Sequence, residues 1–140
     1  MGETSKPTLI RLEWGRQLLV LERKRAEGDW AEVAARVHGR AVPHLAALLG
    51  LAGVQALLRR SAKLGAPSFP WLAEPGVVDT AATLHAALQV QPSEVALDAA
   101  AALFSTFFAM LETFIGRRLT IQLLRGAWPE LVDAAPEESP

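Results

Sequence analysis

Chemistry in this chain would have to come from its three histidines, its serines and its carboxylates, because it contains no cysteine. The histidines are His38, His44 and His85. No two of them stand four residues apart, the spacing that sets two metal ligands on one helix face, and no acid completes an HExxH-like set. They read as structural or surface histidines, so no metal and no cofactor is expected. Ser61, Ser68, Ser93 and Ser105 have ordinary surroundings, with no sign of the strained turn that exposes a nucleophile. Residues 50–53, GLAG, lack the length and the lysine of a phosphate-binding loop. With no catalytic pattern found, the chain is not expected to be an enzyme.

Two stretches resemble known motifs. Residues 44–61, HLAALLGLAGVQALLRRS, resemble a helix-turn-helix, with Ala46, Gly50 at the turn and a helix ending in Arg59 and Arg60. A recognition helix carries polar base-reading residues near its start. Here that start is Ala52, Gly53 and Val54, with Gln55 alone polar, and Arg59 falls where an apolar residue is needed. Leu84 and His85, followed by Val90 and Pro92, resemble the end of the proximal helix of globins leading into a long helix. That resemblance implies His85 as a haem ligand. It covers a short segment and departs from the globin pattern: the histidine-to-proline distance is too short, no phenylalanine marks the haem-packing corner, and the last helix is too short.

The elements that must position these residues are all helical. Residues 94–116, EVALDAAAALFSTFFAMLETFIG, hold no charge, Gly or Pro between Asp98 and Glu112. A helix of about 20 residues spans ~30 Å. One this apolar must be covered by other helices. Its faces divide into a stripe of Leu103, Phe107, Met110 and Phe114 and a second of Leu97, Phe104, Phe108, Leu111 and Ile115. A third strip, Asp98, Ala102, Ser105, Ala109, Glu112 and Gly116, is small and polar, either a wet edge or a close-packing seam. Asp98 and Glu112 argue against a membrane span, since an acid near a bilayer centre costs about 2.5–3.5 kcal/mol.

A first helix is expected over 8–27, with Ile10, Trp14, Leu18 and Leu21 inward and Arg16, Glu22, Arg23 and Lys24 outward. Asp29 and Glu32 form a capping-box pattern for a second helix. Pro43 should break or kink it, leaving a short helix through Leu45, Leu48 and Leu49 that ends at Gly50. A further helix over 52–64 turns Val54, Leu57, Leu58 and Leu64 inward. Residues 65–76, GAPSFPWLAEPG, are the one long irregular stretch, and loops of this length are often functional. Phe69, Trp71 and Leu72 there are expected to plug the bundle, with Trp71 as a contact residue in the sharper reading. Asp79 or Thr80 caps a helix through Leu84 and Leu88. Gly116 ends or bends the long helix, and 119–126 is the last one. No strand alternation and no internal repeat are visible.

The formal net charge is −1, from 14 basic and 15 acidic residues, which disfavours an electrostatic grip on nucleic acid or an anionic membrane. The hydrophobic fraction of 51% is high for a small domain, so part of the apolar surface should be covered by a partner or a second copy. The N-terminus has no signal-peptide pattern. The expectation is an all-α, single-domain bundle of five to six helices over 1–132, packed around 94–116, with an acidic, disordered tail over 133–140. Its expected role is a non-enzymatic, cytoplasmic, bacterial-type interaction or regulatory module, self-associating as a homodimer through apolar helix faces. Phe69, Trp71, Ser105, Ala109 and Glu112 are the interface candidates. The alternative is a sensor for a haem-like or hydrophobic ligand, with a pocket formed by Trp71, His85 and Phe108.

Overall fold

The computed structural model describes the backbone of residues 2–130 and the side chains of residues 14–130. The acidic tail expected over 133–140 lies outside the described residues. So does the part of the first helix's inward stripe that precedes Trp14.

The described residues form an all-helical bundle of six α-helices: α1 (Gly2–Arg25), α2 (Trp30–Leu49), α3 (Leu51–Leu64), α4 (Ala81–Gln89), α5 (Ser93–Ile115) and α6 (Arg117–Ala127). A 3-10 turn, Pro70–Ala73, lies between α3 and α4. The described residues form no strand. Local signals account for most of the helix starts. Asp29 caps α2 through a full capping box with Glu32, and Thr80 caps α4 through the same exchange with Thr83.

Pro43 does not break α2, which runs unbroken to Leu49. Proline removes one hydrogen bond and crowds the carbonyl four residues earlier. That residue is Gly39, which is exposed, as is Pro43, so solvent can satisfy the released carbonyl. The expected separate helix through Leu45 and Leu49 is therefore the last part of α2. Gly116 ends α5 rather than bending it, and α6 starts at the next residue.

Helix α5 lies at the centre, against α1, α2, α3, α4 and α6. Phe104, Phe107, Phe108 and Leu111 are almost fully buried, as their stripes require. Phe107 and Phe108 meet at 5.4 Å between ring centres. Phe114, placed on the same stripe by spacing, is exposed instead, since it falls in the last turn beyond the covering helices. Leu64, expected inward, is also exposed, at the end of α3.

The small polar strip of α5 is a close-packing seam at Ser105 and wet at its ends, Asp98 and Gly116. Gly15 of α1 lies against it, and a Cβ built at Gly15 would sit 2.3 Å from the Ala101 carbonyl. The Gly15 N–H donates to Ser105 Oγ at 2.9 Å. Glycine and serine here let two helix backbones approach more closely than ordinary side chains permit.

Contrary to the sequence reading, the bundle contains an internal repeat. Residues 45–62 and 111–128 have the same burial at every position. The register pairs Leu45 with Leu111, Gly50 with Gly116, Leu58 with Leu124 and Arg59 with Arg125. The two glycines adopt matching conformations, φ 81° and ψ 149° against φ 89° and ψ 158°. The same register aligns buried positions of the long helices: Val33 with Ala99, Val37 with Leu103, His38 with Phe104 and Ala41 with Phe107. It also sets Leu18 and Glu22 of α1 against Leu84 and Leu88 of α4. The repeat escapes a reading by residue identity because its halves share burial more than side chains.

Packing is reciprocal between the halves. Helix α1 lies mainly on α5 and α4 mainly on α2, while α3 packs on α5 and α6 on α2. Each long helix is thus covered chiefly by helices of the other half, while α3 and α6 also pack on the long helix of their own half.

Candidate functional site

The most distinctive polar constellation is centred on Glu22, a carboxylate only 1% exposed. Sequence reading placed it on the outer face of α1, and the structure corrects this. Arg36 and Arg40, one turn apart on α2, reach it at 3.4 and 3.1 Å. The Trp128 indole N–H, from the residue after α6, donates to Glu22 Oε1 at 3.1 Å. Arg36 also donates to the Ala26 carbonyl. Both arginines keep about a third of their surface in water (33% and 35%), so they face a carboxylate that cannot hydrate itself. This cluster ties α1, α2 and the end of α6 together. Every Glu22 oxygen is committed to a donor, which suits a clamp better than a proton-transfer group.

A cleft of about 380 Å³ opens between α3 and the 72–79 segment. Its floor is Ala62, Leu72 and Val78, all buried. Its rim carries Arg59, Lys63, Glu74 and Asp79. Arg59 grips Asp79 through two bonds, 2.9 and 3.0 Å. Those bonds hold the Asp79 carboxyl below the usual carboxylate range. Behind the cleft, the His38 ring donates through Nε2 to the Val78 carbonyl at 2.9 Å. Burial holds this imidazole below the usual histidine value, against the opposing influence of the Val78 bond and the Asp79 charge.

His85, half-buried on α4, brings a ring nitrogen to within 4.8 Å of carboxylate oxygens of Asp29 and Glu32. Each of those acids already accepts a backbone N–H in the α2 capping box. As donors they offer two carboxylates and one imidazole in an exposed setting.

Trp71, His85 and Phe108, expected to form a pocket, do not line the cleft. Phe108 is sealed in the core against Phe104 and Phe107, and His85 faces the start of α2. Trp71 and Phe69 are half-buried, packed edge to face at 6.1 Å and against the core, while Leu72 beside them is buried. Among the other interface candidates, Ser105 lies buried under α1, and Ala109 and Glu112 are half-buried. Sequence reasoning missed Glu22, Trp128 and the Arg59–Asp79 pair. The signal for Glu22 was its place four and eight residues after Leu18 and Trp14, on one helix face.

Fold and site together define an all-helical bundle with a buried ion cluster and a shallow, charge-rimmed cleft. Comparisons with protein-family models, with curated proteins and with solved structures return no match for this chain.

Proposed function

We propose that the protein is a non-enzymatic interaction or regulatory module of the cytoplasm that pairs with itself as a homodimer. The observation that carries this reading is the set of large apolar side chains left bare on a small domain. Phe114 is 68% exposed, Leu64 60%, Leu51 54% and Leu48 51%. Leu48 and Phe114 hold equivalent places, each two residues before a glycine corner. Large apolar side chains in water favour association where a partner face covers them, and closed two-fold pairs are the commonest outcome. The best-placed ionic groups support the same reading, because Glu22, Asp79 and Asp98 are each engaged by arginine. Light scattering across a range of concentrations tests it: the expected mass is twice 15.1 kDa, and a constant 15.1 kDa overturns it.

A second reading, a ligand-binding module, is favoured by the cleft. Its volume lies within the range of small-molecule sites, roughly 300–1,000 Å³. The apolar floor of Ala62, Leu72 and Val78 suits a small hydrophobic group. Native mass spectrometry of freshly purified protein would reveal a retained ligand as added mass.

A further inference from the structure

The internal repeat says how two copies would join. We propose that the homodimer forms by exchange of halves, with α1–α3 of one chain closing on α4–α6 of a second copy. This rests on the expectation of a homodimer above, but it joins the copies through the contact between the halves and not through the bare apolar side chains.

The argument starts from where the apolar area lies. Each long helix is covered chiefly by helices of the opposite half. Beside the Arg36 and Arg40 bonds to Glu22, which stay within the first half, several polar ties run the same way. Gly15 bonds to Ser105, Arg16 to Asp98 at 3.0 Å, Trp128 to Glu22, and Arg25 to Glu130 at 3.0 Å. Every one of these joins the first half to the second. A three-helix half taken alone would leave the apolar face of its long helix open.

The halves are joined covalently only by the stretch from Gly65 to Thr80. Its start, residues 65–68, is a series of turns directly after α3. From Pro70 onward the segment is bound into the contact between the halves: the 3-10 turn packs on α3 and α4, and Val78 and Asp79 bind His38 and Arg59. The pivot therefore falls at 65–68. If the chain extends there, the second half can settle on a neighbour's first half, and all the contacts named above re-form between chains. Closed and exchanged forms then differ only in the path of the pivot and in the entropy of association. A closed monomer is favoured when dilute, because the tether sets a high effective concentration. Exchange gains as the chain concentration rises.

The absence of cysteine makes a clean test possible. Arg16→Cys and Asp98→Cys, both at exposed positions, place one thiol on each half. A bismaleimide spanning that ion pair is applied to the dimer fraction, which is then run on a denaturing gel. Exchange predicts covalent dimers. Cross-links confined to single chains would overturn exchange while leaving self-association intact. A second variant, Gly65→Ala with Pro67→Ala, lets α3 continue through the pivot and should raise the dimer fraction several-fold. If the variant gives cross-linked dimers while the native sequence stays monomeric at every concentration, both the self-association reading and exchange in the native chain are overturned. If neither protein, refolded at high concentration, gives cross-links between chains, exchange is overturned. Loss of the dimer in Phe114→Lys or Leu48→Lys would also overturn it, since that result assigns the contact to the outer surface.

Discussion

Glu22 is where a single side chain departs furthest from what its type suggests. A carboxylate at 1% exposure survives because two guanidinium groups and an indole N–H replace its water. Glu22→Ala should strand the Trp128 N–H and leave both arginines unpaired. The expected loss is about 2–3 kcal/mol, below the full cost of breaking a buried pair because the arginines stay partly hydrated; chemical denaturation measures it. Residue type argued for the surface and spacing argued for the core, and spacing was the better guide. His38 was legible as structural but not as pH-sensitive, since its partner is a backbone carbonyl 40 residues away. Its folded-state value is lowered, so the unfolded chain takes up the proton first as pH falls. Stability should be complete above the ordinary histidine value, about 6.5, and decline as pH drops below it. Melting temperatures measured from pH 7.5 to 5 would show this, and His38→Gln should flatten that part of the profile.

At the scale of elements, the capping boxes of α2 and α4 follow from short polar patterns, and the central burial of α5 follows from its length and apolarity. Pro43 was misjudged because its effect depends on whether the orphaned carbonyl can reach water, which local sequence does not state. The glycine corners are a sharper case. Gly50 and Gly116 have φ of 81° and 89° with extended ψ, a region where side chains are strained. Gly50→Ala and Gly116→Ala should each cost about 1–3 kcal/mol and by similar amounts. A large disparity in their thermal melts would count against equivalence of the two corners. Gly15 is constrained by contact rather than conformation. Gly15→Ala should force α1 away from the Ala101 carbonyl and cost about 1–3 kcal/mol, read from the denaturation midpoint. Phe107→Ala, in the middle of the core, should cost about 3–5 kcal/mol in the same measurement.

For the molecule as a whole, fold class and helix number could be read from periodicity, but the arrangement could not. Burial repeats between 45–62 and 111–128 while the residues mostly differ: Val54 stands where Thr120 does, and Ala62 where Trp128 does. Packing selects size and burial at each site, so the repeat is plainer in burial than in letters. The repeat predicts that Leu58→Ala and Leu124→Ala, at paired and fully buried positions, each lose about 2–5 kcal/mol, which parallel urea titrations would compare. The reciprocal covering of the long helices also has a consequence for biosynthesis. The ribosome releases the chain in order, at about 5–20 residues per second. When α2 emerges, α4, the helix that covers it most, has yet to be translated, and α1 waits likewise for α5. For several seconds the nascent first half presents Val33, Val37, Ala41 and Leu45 without that cover, in reach of chaperones and of neighbouring chains on the same message.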